Sequence, residues 1–479
     1  MGTLRKGIVI TVITKYMYVM VSFIITMILS RILSPGDFGI VAIVTVFTNL
    51  FLILGDMGIR PAIVQKKDLT SKNISEIFFL TIMGGIVFGF IFIGIAEIIA
   101  FIYDNSVYRS IGQLLAISVV FSVWNIVPQG LLQKEKKFML IGLITVVSTF
   151  LSGTAAIISA LNDFSYYSIV LQSILYSILI FLFNFYYSKL KFSIGFNLNT
   201  INKIKSYSSY QMLFDIINYF ARNLDKFLIG KMLSEVALGY YNLAYKLVLM
   251  PVQYLTNAVT PVLHPVLSDY QNNYNIIYEQ FLKVVRVLSV LGAFISIFCY
   301  IFAADIITVI YGPNWGESIE PFRILSLSIG FQMIMSASGS IFQASGNTKY
   351  LFFSGLFSAI TIISGIIIGT IAGDIVIVAS GITFAYIINF VQTFYILINV
   401  VLKQKIRDFF DVLKWPILAA FITMIVADYF RVEMKPLISV VLNLIITGTI
   451  YCLMLIATGE FKRFLKILIP RKSKNLEAS

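Results

Sequence analysis

The chain has 479 residues, of which 58% are hydrophobic and only 12% charged. A soluble domain is about 45–50% apolar and about 25% charged, so this composition excludes an ordinary water-soluble enzyme or binding module. The formal charge of +13 does not point to nucleic acid, because the cations sit in short segments between long apolar runs and not on an extended basic face.

A hydrocarbon core about 30 Å thick needs about 20 apolar residues in a helix. In chain order, runs of that kind lie near 7–30, 38–59, 77–103, 109–132, 139–161, 165–188 and 208–230. They continue near 238–262, 284–303, 323–346, 350–373, 375–402, 412–430 and 436–459, fourteen in all. Turn and breaker chemistry separates them, as at Ser34-Pro35-Gly36-Asp37, Asn162-Asp163, Gly312-Pro313-Asn314 and Gly373-Asp374. The first run is followed by no small-residue cleavage site, so it reads as a retained span and not a signal peptide.

With the N-terminus placed in the cytoplasm, 26 Lys and Arg fall in inner segments. Six fall outside: Arg31, Arg109, Lys231, Arg323, Arg431 and Lys435. The bias predicts fourteen spans with both termini cytoplasmic, in the cell (inner) membrane.

The chemistry is limited from the start. His264 is the only histidine, and Cys299 and Cys452 stand far apart outside any CxxC pair, which disfavours zinc sites and disulfide scaffolds. No GxxxxGK[ST] or HExxH occurs, and no outer segment is long enough to house a catalytic domain. The expectation is a transporter and not an enzyme, with no cofactor and no metal. It would be driven by a gradient or run downhill.

An internal repeat sets the organisation. Arg31-Ile-Leu-Ser-Pro-Gly-Asp-Phe-Gly39 aligns without gaps to Lys231-Met-Leu-Ser-Glu-Val-Ala-Leu-Gly239, and Pro61 matches Pro261 in the same register. Gln133 before Lys137-Phe138 resembles Gln343 before Lys349-Tyr350. The expectation is an all-α polytopic membrane protein: a six-helix bundle over 1–190, a second that repeats it over 191–402, and two further helices with a basic tail over 403–479. Parallel repeats of this kind place a substrate pathway between the two bundles.

Charges inside the apolar runs mark candidate sites, since each costs about 2.5–3.5 kcal/mol at mid-bilayer on insertion scales. Asp215, Arg222 and Lys226 are spaced to share one face of the seventh span, with Asp225 about 80° to the side. Asn242, Lys246, Gln253 and Asn257 form a polar stripe in the eighth, which Pro251 interrupts. Lys15 in span one, and Asn49, Asp56 and nearby Arg60 in span two, complete the set. A lumen richer in cations than acids suits a phosphate or diphosphate, held by Lys15, Arg222, Lys226, Lys246 and Arg60. Asp56, Asp215 and Asp225 are the candidates for coupling to a proton or sodium ion. Mutual ion pairing near helix ends is the plain structural alternative.

The residues now reached resemble a known family. Ser30-Arg31-Ile-Leu-Ser-Pro-Gly-Asp-Phe-Gly39, Gly55-Asp-Met-Gly58 with Pro61-Ala-Ile-Val-Gln65, and Arg222-Asn-Leu-Asp-Lys226-Phe-Leu-Ile-Gly230 are similar to the polysaccharide repeat-unit flippases. So are Leu238-Gly-Tyr-Tyr-Asn-Leu-Ala-Tyr245, Tyr311-Gly-Pro-Asn-Trp315, and Gln343-Ala-Ser-Gly346 with Lys349. These are the O-antigen, capsule and teichuronic-type exporters of the multidrug/oligosaccharidyl-lipid/polysaccharide (MOP) superfamily. Arg31, Asp37, Gly39, Asp56, Arg222, Asp225, Lys226 and Gly239 match its patterns, without individual roles attached.

The resemblance implies a V-shaped cavity that opens alternately inward and outward. It also implies an undecaprenyl-diphosphate-linked oligosaccharide as substrate, carried to the outer leaflet for surface polysaccharide biosynthesis. Its implied partners are membrane lipids, a polysaccharide polymerase and other assembly proteins. The rivals are a cation-coupled multidrug exporter or a murein-precursor flippase of the same superfamily, a membrane polysaccharide polymerase or ligase, and a scaffold for glycan assembly.

Overall fold

The computed structural model describes residues 2–56, 58–195, 219, 223–256, 267, 268, 270, 271, 273–432 and 434–468, and every regular element among them is helical. Two compact units divide the chain, Met1–Gly239 and Tyr240–Ser479.

In the first unit, α1 (Gly2–Ile32), α2 (Pro35–Asp56) and a short α3 (Ile59–Gln65) are followed by the long α4 (Ser71–Tyr103). The next run is broken at Asn125 into α5 (Val107–Trp124) and α6 (Ile126–Lys134). Then come α7 (Phe138–Leu161), α8 (Tyr167–Ser188) and α9 (223–232). Helix α4 lies along α5, α1 along α7, and α7 along α8. Small residues allow the close approaches: a Cβ on Gly85 would sit 2.8 Å from the Trp124 ring.

Helix α10 (Glu235–Thr256) begins at the end of the first unit and continues into the second. The second unit goes on with α11 (Tyr274–Ile301), α12 (Ala303–Ile310), a 3₁₀ turn at Pro313–Ser318 and α13 (Ile319–Ser326). Helices α14 (Ile329–Met335), α15 (Ser338–Ala344), α16 (Thr348–Ile371) and α17 (Ile375–Tyr395) follow, and α17 runs into a π turn at Ile396–Val401. The last are α18 (Ile406–Tyr429), α19 (Pro436–Ala457) and α20 (Glu460–Leu468). Helices α16 and α17 form a hairpin so tight that a Cβ on Gly365 would lie 2.7 Å from the Gly381 carbonyl oxygen.

Eleven helices among the described residues are long and apolar enough to cross a membrane, and a bent pair, Pro313–Ser326 with Ile329–Ala344, makes twelve if it forms one span. They fall on twelve of the stretches expected from the sequence. The two others, 208–230 and 238–262, correspond to α9 and α10, and each extends outside the described residues.

The stretch expected as one helix over 323–346 is instead broken into three and bent by 48°. Serine is the physical reason. The hydroxyls of Ser326, Ser328, Ser336 and Ser338 each donate to the carbonyl three residues back, at 2.6–2.7 Å, and so compete with the helical ladder.

Candidate functional site

Helices α2 and α10 begin in the same way, two hundred residues apart. The Ser34 hydroxyl accepts from the Asp37 N–H at 3.3 Å, and the Asp37 carboxylate accepts back from the Ser34 N–H at 2.8 Å. This reciprocal capping satisfies donors that the first turn leaves orphaned. Ser234 repeats half of it, accepting from the Ala237 N–H at 3.0 Å.

The two helix starts then pack on each other. A Cβ on Gly39 would collide with the Glu235 carbonyl oxygen, and a Cβ on Gly239 would collide with the Pro35 carbonyl oxygen. Pro35 and Glu235 hold equivalent places in the repeat, as do Gly39 and Gly239, so the contact is reciprocal. Only glycine permits backbones to meet this closely.

Polar side chains fix this junction. Glu235 accepts from the Asn105 amide at 2.9 Å and from the Tyr108 hydroxyl at 2.6 Å, and Lys231 donates to the Ile102 carbonyl. Tyr103 donates to the Phe227 carbonyl at 3.0 Å. Buried Asp37 also accepts from the Ser165 hydroxyl and, at 3.1 Å, from the Tyr166 N–H, which ties α2 to the turn before α8. Asp37 is thus a clamp between elements.

Helix α9 packs on α2 from this junction inward. Phe47 and Phe227 meet edge to face with centroids 6.5 Å apart, and the Tyr219 hydroxyl donates to the Val46 carbonyl. Asn49, an expected polar residue, is exposed on α2 three residues after Val46. Asp225 is buried at 4% exposure and accepts from the Lys226 N–H at 2.8 Å. Lys226 is half-buried, and its Nζ donates to the Asn223 side chain at 3.1 Å. Arg222 and Asp215, expected on the same face, lie outside the described residues.

Asp56 and Arg60 straddle the break between α2 and α3, where Gly58 adopts a left-handed φ of 74°. The Arg60 N–H donates to Asp56 Oδ1 at 3.2 Å, and the two charges stand 3.8 Å apart, each about one-third exposed. Broken membrane helices are where polar backbone and ligand groups are tolerated at depth. Lys15 is exposed on α1.

In the second unit, α10 divides cleanly by face. Leu243, Ala244, Leu247, Val248 and Val252 are buried, whereas Lys246 and Gln253 are exposed and Asn242 is half-buried. The stripe therefore occupies the side turned away from the apolar core. Asn257 lies outside the described residues.

The Tyr311–Trp315 motif positions this helix. Trp315 and Tyr311 are fully buried, Tyr311 donates to the Leu243 carbonyl at 3.3 Å, and the Ser318 hydroxyl donates to the Tyr240 carbonyl at 3.0 Å. Tyr240 and Trp315 meet edge to face at 5.9 Å. Replacing Trp315 with alanine should cost about 3–5 kcal/mol of stability and release the start of the polar stripe. Thermal unfolding in detergent checks it: an unchanged transition would remove the motif from this role.

No sequence pattern marks the Glu235–Asn105–Tyr108 cluster or the Ser165 partner of Asp37. The Ser34-x-x-Asp37 spacing is itself a capping signature that could have marked the start of α2. Glu97, alone in an apolar helix, is paired with Arg109 at 2.6 Å on the surface.

The family model for "Polysaccharide biosynthesis protein" matches residues 28–320, more than half of the chain. The chain belongs to this family. Among its relatives is the teichuronic acid biosynthesis protein TuaB of Bacillus subtilis (strain 168), 27% identical over 311 residues. That match spans 64% of this chain and 64% of TuaB, just under two thirds of the relative's length. The lipopolysaccharide biosynthesis protein WzxC of Escherichia coli (strain K12) is 22% identical over 85% of this chain and 83% of its own.

Among solved structures, lipid II flippase MurJ in an inward closed conformation has a TM-score of 0.75 at 15% identity, covering 95% of this chain and 99% of its own. An inward-facing multidrug resistance MATE family transporter of the MOP superfamily has a TM-score of 0.61 at 14% identity, over 80% of this chain and 95% of its own. The fold of this polysaccharide biosynthesis protein is that of these transporters, and the chain is a multi-pass membrane protein.

Proposed function

We propose that the chain is a flippase that moves undecaprenyl-diphosphate-linked oligosaccharide repeat units from the inner to the outer leaflet by alternating access, for surface polysaccharide biosynthesis. The observation that carries this is membership of a family of polysaccharide biosynthesis proteins, supported by the cations that α9 and α10 present. Lys226 is half-buried on α9 and Lys246 sits on the polar stripe of α10. Ammonium groups of this kind repel cationic drugs and favour a diphosphate.

In this reading Lys15, Arg60, Arg222, Lys226 and Lys246 neutralise the diphosphate, while Asn49, Asn242, Gln253 and Asn257 meet the sugars. Asp56, Asp215 and Asp225 are the candidates for a driving proton or sodium ion. The finer architecture belongs to the same proposal: fourteen spans, both termini cytoplasmic, with two six-helix halves over 1–190 and 191–402 and two further helices after them. The chain transports without catalysing a reaction, and a polysaccharide polymerase and other assembly proteins take over the product.

Lipid-linked sugars in cells lacking the chain test the proposal. Undecaprenyl-diphosphate oligosaccharide should accumulate on the inner leaflet while surface polymer disappears. Accumulation on the outer leaflet would mark a polymerase or ligase instead. Unchanged pools with raised sensitivity to cationic compounds would mark a drug exporter.

A further inference from the structure

The last described helix has no part in the proposed transport path, yet it is built with care. Span α19 ends at Ala457, Gly459 turns the chain at a left-handed φ of 73°, and α20 starts at Glu460. Two linking residues cannot carry a helix far from the membrane surface, so α20 begins at headgroup depth.

Its inner face is fastened to the protein. Phe461 and Phe464 pack on a cluster of Val290, Ile297, Ala419, Ala420, Tyr451 and Leu455. The Glu460 carboxylate is completely buried, with Arg286 of α11 at 3.1 Å and Arg463 at 2.6 Å. A buried carboxylate between two guanidiniums fixes one orientation of the helix, since losing either partner would leave an uncompensated charge.

That orientation turns Lys462, Arg463, Leu465 and Lys466 outward, all of them exposed. The one acid of the helix faces inward, so the outward face is purely cationic with a leucine in it. Three more cations, Arg471, Lys472 and Lys474, follow in the sequence. We propose that the outer face of α20 is a docking surface for the anionic phospholipid headgroups of the surrounding bilayer, held in place by the Arg286–Glu460–Arg463 cluster. Interfacial helices with basic polar faces bind in this way, and each cation near an anionic surface strengthens attachment about fivefold.

Backbone hydrogen exchange over 460–468 tests it in the full chain, reconstituted in nanodiscs of phosphatidylcholine with or without phosphatidylglycerol. Exchange should be at least tenfold slower with phosphatidylglycerol, and 1 M NaCl should remove the difference. The double variant K462Q/K466Q should lose most of that gain while keeping its protection in pure phosphatidylcholine, where the buried face alone holds the helix. K462R/K466R, which restores the charge, should recover the gain. Equal exchange in both lipids for the unmodified chain would overturn the proposal. So would a full gain in the neutral variant, or a failure of the arginine variant to recover it.

Discussion

Replacing Gly39 with valine should abolish export of surface polymer while the protein still accumulates in the membrane. The side chain would have to occupy the place of the Glu235 carbonyl oxygen, and backbone cannot yield as a flexible side chain can. A penalty of about 3 kcal/mol against the arrangement in which α2 and α10 meet would depopulate it about a hundredfold. A transporter that cycles by alternating access must pass through both arrangements, so losing one stops the cycle. Gly239→Val should behave alike, because Gly239 meets Pro35 in the reciprocal contact. Gly36→Ala is the control: its Cβ would stand 3.5 Å from Val236, an ordinary contact, and export should persist. Surface polymer measured against membrane protein level decides the matter. Normal export in both valine variants would remove the α2–α10 contact from the cycle.

The second large effect is expected at Lys226. The residue is half-buried and its ammonium donates to Asn223, next to buried Asp225. If the diphosphate binds there, Lys226→Ala removes a charge-assisted hydrogen bond of about 1.5–3 kcal/mol, and export should fall about ten- to a hundredfold at an unchanged protein level. Lys226→Arg keeps the charge and should retain part of the activity. Arg109→Ala removes an equally cationic residue, but one exposed and paired with Glu97, and should have little effect. Equal export in Lys226→Ala and Arg109→Ala would dismiss the diphosphate assignment.

Much of this was legible in the sequence because membranes simplify the problem. Long apolar runs have to be helices, and the breakers between them place the ends, as at Ser34-Pro35 and Asn162-Asp163. The repeat of Arg31–Gly39 in Lys231–Gly239 also survived as a pattern of cap and glycine. Its purpose did not, because the collision of Gly39 with Glu235 exists only once two distant segments meet.

The same holds for the packing of the motifs. Tyr311-Gly-Pro-Asn-Trp315 reads in the sequence as a break and a family motif, yet Tyr311 braces α10 from 68 residues away. Asp37 looked like a turn residue, and its bond to Ser165 crosses 128 positions. The bend near Ser328 stayed hidden for a different reason. Hydropathy averages over exactly the serine hydroxyls that break the ladder there. Lys15 and Lys246 were picked out by their depth in apolar runs, and both side chains are exposed.

The central claim is lipid translocation, and reconstitution tests it most directly. The purified chain would be placed in liposomes carrying an undecaprenyl-diphosphate oligosaccharide on the inner face, and a membrane-impermeant sugar-modifying enzyme would be added outside under an imposed proton or sodium gradient. The account predicts that nearly all of the lipid-linked sugar becomes accessible with the unmodified chain, and that it stays at the protein-free level with Gly39→Val and Lys226→Ala. Accessibility equal to that of protein-free liposomes for the unmodified chain under either gradient would contradict it.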